Sequence, residues 1–493
     1  PKRQNNRGNS RQANREETKE TVSDTTKSEK KNYGKIIVDN TVRVLLSVKK
    51  ASFSFSQSSG VSLPGYMYEP DYLGINGMSG APGWGFIFGL NNDALNNAID
   101  GNWLTTDTTF NQAYSERFNE TYNYKVVLEP FQDLKIDING NRSYVENFSQ
   151  YFRADANGVF NFYTPANGGN FNISHMMVST SFKDGDELFN NMLDYRQDIA
   201  NRLANENQAW IDMGAPMVYD SIGNGNYPLG YGANSMDVLA YSFIAAYSGY
   251  GQNEVELNLF RKIALPNWSV NFTGLTKIAA LKKIFKTINL THSYRSNYSI
   301  SSWATNLNYS EDNTMQLYDG TNLRVPEFDM AQIVLTEQYA PLIGIKLTFN
   351  NSLSPSLDFK KSRTVTISFV NNQLTEAEGQ EIIIGCGYTF RDFGLSFSSG
   401  GGQGSNTSND LTMKLDIGFR KDKTILRSID ENYSQISSGQ NKVNVYLTAD
   451  YDFSNRLGMQ VFFRHDMTDP FIANSFKTSN TFAGVTMRFS LTQ

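Results

Sequence analysis

One stretch, LTMKLDIGFR (Leu411–Arg420), constrains this chain more than any other. Its odd positions are Leu411, Met413, Leu415, Ile417 and Phe419; its even positions are Thr412, Lys414, Asp416, Gly418 and Arg420. Successive side chains of a strand point to opposite sides, so this is a strand with one apolar and one polar face. In a soluble sandwich the apolar face turns inward. In a membrane barrel it turns outward, against lipid.

The same alternation recurs three more times before the C-terminus. KVNVYLTADYDF places Val443, Val445 and Leu447 on one face and Asn444, Thr448 and Asp450 on the other. LGMQVFFRH separates Leu457, Met459, Val461 and Phe463 from Gln460 and Arg464. AGVTMRFSL separates Val485, Met487 and Phe489 from Thr486 and Arg488. The apolar positions of these four segments carry no Asp, Glu, Lys or Arg. A charge facing mid-membrane lipid costs roughly 2–4 kcal/mol, so clean faces are what a membrane strand requires. The apolar sets are the lipid-facing candidates. Thr412, Lys414, Asp416 and the polar residues named above are the lumen-facing candidates.

Composition agrees with a strand-rich chain. Aromatics make up 13% of the 493 residues, and charged residues 19%, below the roughly 25% of an average soluble protein. Mean hydropathy is −0.44, and the longest apolar helical candidate, Val238–Tyr250, is too short to cross a bilayer. Barrel strands escape that criterion, because half of each faces water. The net charge of −5 supplies no basic field for nucleic acid. The single cysteine, Cys386, leaves no intrachain disulfide; its phase with Ile382 and Ile384 reads as a packed apolar thiol.

Four regions are expected. Residues 1–35 lack apolar periodicity and read as a linker. The chain opens on Pro1 without a signal peptide, as the later part of a longer protein would. Residues 36–182 hold strands around an irregular Pro/Gly-rich insertion at 61–120. Within them, Thr121–Pro130 and the segment from Leu134 form a hairpin. Residues 183–262 are mainly helical: apolar residues recur at helical spacing from Asp186 to Asn205, and a second helix runs from an N-cap at Ser235 to Gly249. A short basic helix is expected over 275–287. Residues 263–493 return to strands. The total is about 14 to 16. Ser398–Asp410 and Lys421–Lys442 read as long loops, and Tyr451–Leu457 as a tight turn.

Chemistry is sparse. His175, His292 and His465 lack metal-ligand spacing, and His465 reads as a polar pair with Asp466. Gly400–Gly404 (GGGQG) lacks the ending of a phosphate loop. No nucleophile or acid–base constellation emerges, and the sequence proposes neither enzyme nor cofactor.

Several strings resemble one family. LLSVKKASFSFSQSSGVSLPGY followed by APGWGFIFG looks like part of the SprA (Sov) family, the giant outer-membrane translocons of the Bacteroidetes type IX secretion system. LPNWSVNFTGLTKI, THSYRSNYSI, EQYAPLIGI, FKKSRTVTISFVNNQLTE, KTILRSIDE and DPFIANSFKTSNTFAGVTMRFSL resemble later parts of it, in the same order. The resemblance runs from about residue 40 to the C-terminus. It implies an all-β fold, the C-terminal part of a very large transmembrane antiparallel β-barrel with small helical insertions. It also implies passage of folded cargo proteins bearing a type IX C-terminal signal across the outer membrane, for gliding motility in gliding species. The implied partners are the remainder of the barrel, a PorV-like barrel at a lateral opening, a periplasmic plug protein, the cargo and the lipid membrane. The mixed charges would line a hydrated wall. The Leu63–Gly89 stretch and the two helices are candidates for lumen lining or partner docking. Two alternatives share the strand pattern: an outer-membrane porin or TonB-dependent transporter, and a soluble surface β-sandwich adhesin.

Overall fold

The computed structural model describes residues 47–490 apart from 90–92, 397–405, 432, 455 and 473–474. All belong to one compact unit, Ser47–Gln493. The linker expected at 1–35 and the glycine run at 400–404 lie outside the described residues.

The fold is predominantly antiparallel β-sheet with small helices. The strands are β1 (Val48–Ser62), β2 (Ala113–Leu128), β3 (Leu134–Ala154), β4 (Phe160–Ser174), β5 (Met217–Asp220), β6 (Gly225–Pro228), β7 (Asn267–Phe272) and β8 (Phe285–Thr305). They continue as β9 (Phe328–Met330), β10 (Gln332–Phe349), β11 (Leu353–Ser368), β12 (Gln373–Ser396), β13 (Asn406–Ser428), β14 (Tyr433–Ser454), β15 (Leu457–Pro470) and β16 (Thr478–Phe489). Fourteen of them form one sheet in the order β1-β2-β3-β4-β8-β10-β11-β12-β13-β14-β15-β16, with β7 and β9 attached off that path. The expected hairpin is β2–β3.

β4 and β7 are two pieces of one strand position. β4 pairs with the Arg142–Ala154 half of β3, and β7 pairs with the Leu134–Asn139 half. Both pair with β8 on their other side. The chain therefore leaves the sheet after Ser174, builds an insertion over 175–266, and re-enters at Asn267 in the same lane. Side chains close the gap. Ser174 Oγ accepts from Asn141 N (3.0 Å) and donates to Asn141 Oδ1 (2.7 Å). Asn267 Oδ1 accepts from Ser296 N at 2.7 Å, and its Nδ2 donates to Ser174 Oγ at 3.1 Å. These bonds satisfy backbone groups that the broken ladder leaves without strand partners.

Two short helices lie in the first insertion, α1 (Gly83–Ile87) and α2 (Ala94–Asp100). The second insertion holds α3 (Gly185–Glu206), α4 (Gln208–Asp212) and α5 (Met236–Ser248). α3 begins where Asp184 caps the Asp186 amide, with Asp186 and Glu187 in its first turn. α5 follows Ser235 and stops at Gly249, whose φ of 74° is the left-handed stop expected there. Its residues from Val238 to Ser248 are all buried, against α3 and the sheet.

Three expectations are corrected. Lys421–Lys442 is not a long loop: β13 runs on to Ser428 and β14 starts at Tyr433. The basic helix expected at 275–287 is one 3-10 turn (Gly274–Lys277) and a single α-turn, α6 (Ala279–Lys282), before β8 starts at Phe285. Cys386 does share a face with Ile382 and Ile384, but within this chain it is exposed rather than packed.

Candidate membrane-crossing wall

Strand register decides which residues share a face. Leu411, Met413, Leu415, Ile417 and Phe419 lie opposite Tyr451, Ala449, Leu447, Val445 and Val443. β14 carries the same face to Met459, Val461 and Phe463, and β15 carries it to Met487 and Val485; Leu457 meets Phe489. All fifteen apolar candidates therefore lie on one face. Thr412, Lys414, Asp416, Asn444, Thr448, Asp450, Gln460, Arg464, Thr486 and Arg488 all lie on the other.

Register extends both faces across the whole sheet, which the sequence did not reveal. From Ile417 the apolar face passes to Ile384, Leu357, Ile345 and Leu290. It continues to Phe272 and Leu134, and β1 supplies Phe53 and Phe55. The row through Ile345, Ile384, Ile417 and Val445 drifts upward relative to the band, reaching His465 and Thr481 by β15 and β16. Such a drift is the stagger of strands tilted to the band. The band is about nine residues deep on β13, which at roughly 3.3 Å per residue is the length a tilted barrel strand needs to cross a bilayer. Much of it is uncovered within this chain, including Phe419, Val461, Phe463, Val485, Met487 and Phe489.

The polar face is a network of short-range pairs. Gln460 Nε2 donates to Asp450 Oδ1 at 2.6 Å, and Arg464 Nε meets Asp466 Oδ2 at 2.7 Å. Lys360 Nζ bonds Glu381 Oε2 at 3.1 Å. Toward β1 the same face carries Ser52, Ser54, Asn123, Asn139, Asn141, Asn172 and Asn297, with Lys125 and Arg295, around a cavity of about 510 Å³. His465 and Asp466 point to opposite faces, which corrects the expected pair: His465 bonds Thr481 Oγ1 at 2.8 Å instead.

The strands outrun the band at one end. There the apolar face turns charged, with Lys421 and Lys423 on β13 and Glu378 on β12. Beyond these residues it is buried again, under the two insertions. Ile333, Leu335, Val365, Ile367 and Leu374 pack with Leu239, Phe243 and Ile244 of α5 and Phe189 of α3. Two buried ion pairs tie this contact. Arg427 Nη2 bonds Glu376 Oε2 at 3.0 Å, its Nη1 bonds Asp186, and its guanidinium stacks 5.4 Å over Phe189. Arg363 Nη2 lies 3.6 Å from Glu337 Oε2, while Glu337 Oε1 accepts from Ser181 Oγ and Tyr294 OH. The 63–112 insertion packs on the same face through Val61, Tyr114, Phe148 and Phe152. Both insertions, which hold the candidates for lumen lining or partner docking, thus sit on the face opposite Lys414, Asp450 and Arg464. The sequence gives each strand's parity but not which face a distant segment meets.

The connections are asymmetric. The insertions at 63–112, 175–266 and 306–327 emerge toward the end where β1 stops and β16 starts. The connections at 129–133, 273–284 and 350–352 are at the opposite end. Of the loop expected over Ser398–Asp410, residues 398–405 lie outside the described residues and Asn406–Asp410 instead begin β13.

No family model and no curated protein matches the chain. Among solved structures it is similar to OmpT (in-vitro folded), an outer membrane protein of Vibrio cholerae in its trimer form. The identity is 9% and the TM-score 0.20, over 90% of this chain and 100% of that one. A score this low carries neither fold nor function.

Proposed function

We propose that this chain is a wall segment of a large outer-membrane β-barrel that conducts proteins, a translocon of the SprA type. The carrying observation is the continuous uncharged apolar band on one sheet face, backed by a polar, internally paired face. A band of this size left open to water is far beyond the few hundred Å² that soluble monomers expose. Lipid on that side satisfies it, and the polar face then lines an aqueous lumen.

The edges support a barrel larger than this sheet. β1 and β16 each pair on one side only among the described residues. Unpaired strand edges are not tolerated in hydrocarbon, so further strands cover them. In this reading they are the remainder of the SprA-like barrel. A PorV-like barrel, a periplasmic plug and cargo with a type IX C-terminal signal complete the assembly. A wide lumen needs no chemistry to pass folded cargo; selectivity then lies in gating and docking. A β-sandwich adhesin would need a second sheet over the band, and the described residues supply none.

Photo-crosslinking in cells tests the reading. A photoreactive residue at Lys414, Asp450 or Arg464 is expected to capture type IX cargo during secretion, and one at Val461 or Val485 is not. Capture from neither face, with small solutes permeating instead, favours a porin.

A further inference from the structure

We infer that the 66–89 segment is a second membrane contact, a monotopic element that dips into the lipid headgroup layer beside the barrel wall. The inference rests on the reading of the apolar band as lipid-facing.

The segment displays its largest apolar side chains outward. Met78 is 99% exposed, Tyr72 93%, Leu73 73%, Phe88 68% and Trp84 56%, and Trp84 stacks on Phe88 at 5.8 Å. Only Glu69 and Asp71 are charged between Leu63 and Gly89. A soluble loop of this length does not normally carry such a surface. Trp and Tyr with aliphatic neighbours are what the membrane interface selects.

The backbone is prepared for a low-dielectric setting. Asn76 Oδ1 accepts from Met78 N at 3.2 Å and Ser79 N at 2.9 Å, and its Nδ2 donates to Glu69 O at 3.0 Å. Asp71 Oδ2 accepts from Gly77 N at 2.7 Å, and Asn76 N donates to Ala81 O at 2.8 Å. The turn carrying Met78 thus binds its own polar groups, which lowers the cost of leaving water.

Position selects lipid over a protein occupant. The segment follows β1 and is fastened to it where Ser59 Oγ donates to Gly89 O at 2.9 Å. Ser59 shares the face of Phe53 and Phe55, the band residues of β1. It lies about 13 Å further along the strand at roughly 3.3 Å per residue, which is about 10 Å of height for a strand tilted near 40°. The headgroup layer adds roughly 5–8 Å to each side of the hydrocarbon, so Phe88 and Trp84 are within a side chain's reach of it. Between Phe55 and Ser59 this face carries Gln57 opposite Glu120, which pairs with Arg142, so the segment's exposed apolar surface stands beyond the band across a polar row, at headgroup height.

Nitroxide labels on the full-length protein test this in phosphatidylethanolamine–phosphatidylglycerol vesicles. In a Cys386→Ala background, Met78→Cys, Val485→Cys and Asn157→Cys are each labelled. Access to oxygen and to a water-soluble nickel chelate is then measured. The inference expects the oxygen-to-nickel ratio at Met78 to be several-fold above that at Asn157, on an exposed turn, and to approach that at Val485. With Val485 in lipid, nickel access at Met78 equal to that at Asn157 overturns the inference alone. Shielding of Met78 from both reagents also overturns it, in favour of a protein partner. Nickel access at Val485 defeats the band reading itself, and the inference falls with it.

Discussion

Arg427 and Phe419 share one face of β13, yet Arg427 is 1% exposed and Phe419 48%. One strand face thus serves two surroundings. Around Phe419 it is uncovered and apolar; around Arg427 it is sealed beneath α3.

That seal is ionic as well as apolar. Glu376 is fully buried, and burial raises its carboxyl above the ordinary value while Arg427 pulls the other way. Arg427→Met leaves this carboxylate without its partner. The expected loss is about 3–5 kcal/mol, whereas the double change with Glu376→Met is close to neutral. Protease protection of the 175–266 insertion, titrated against urea, measures both.

The insertion also carries a pH dependence. Burial first, and then Arg261, pushes the His175 imidazole down to about 3. Its Nε2 lies 2.6 Å from Ser248 Oγ and its Nδ1 3.5 Å from Arg261 Nη1, an arrangement that suits the neutral ring. The folded value is below the unfolded one of about 6.5, so the unfolded state binds the extra proton between them. Stability contributed here is complete above about pH 6.5 and falls by up to about 1.4 kcal/mol per unit toward pH 3. His175→Gln is expected to flatten this slope in a proteolysis profile across that range.

The strand break makes a local demand. Asn267→Ala removes the acceptor of the buried Ser296 amide and one partner of Ser174. An orphaned buried donor costs about 1–3 kcal/mol. Hydrogen exchange at the Ser296 amide is expected to speed up ahead of the neighbouring amides of β8.

The two faces respond oppositely to charge. Met459→Arg places a cation on the apolar band and is expected to cost roughly 2–4 kcal/mol in the folded membrane protein. Gln460→Arg, one residue along, enters the polar network beside Asp450 and is expected to be near neutral. Denaturant midpoints in vesicles compare them.

Strand faces were legible wherever the two sides of the sheet differ in polarity, as from Leu411 to Phe419. Helix α5 was legible from its apolar run and its stop at Gly249; Ser235 stands at the expected N-cap position, although its side chain makes no capping bond. The upper part of β13 was not, because Lys421, Lys423 and Arg427 occupy the face that is apolar lower down, so the alternation dissolves where the strand leaves the band. The split lane of β4 and β7 was illegible for another reason. Its pieces are joined by pairing to β3 and β8, a long-range relation that no local pattern encodes. The placement of both insertions on the apolar face was hidden for the same reason.

The central claim is that the apolar face of β13 meets lipid and its polar face meets water. The most direct measurement is cysteine scanning of Leu411–Phe419 in a Cys386→Ala background, within the assembled outer membrane. A water-soluble maleimide and a lipid-phase thiol probe are applied separately. Labelling of Thr412, Lys414 and Asp416 by the aqueous reagent, and of Leu411, Met413, Leu415, Ile417 and Phe419 by the lipid probe, is the predicted result. Odd positions that resist both reagents, in a protein that carbonate washes from the membrane, would contradict it and make the band a soluble core.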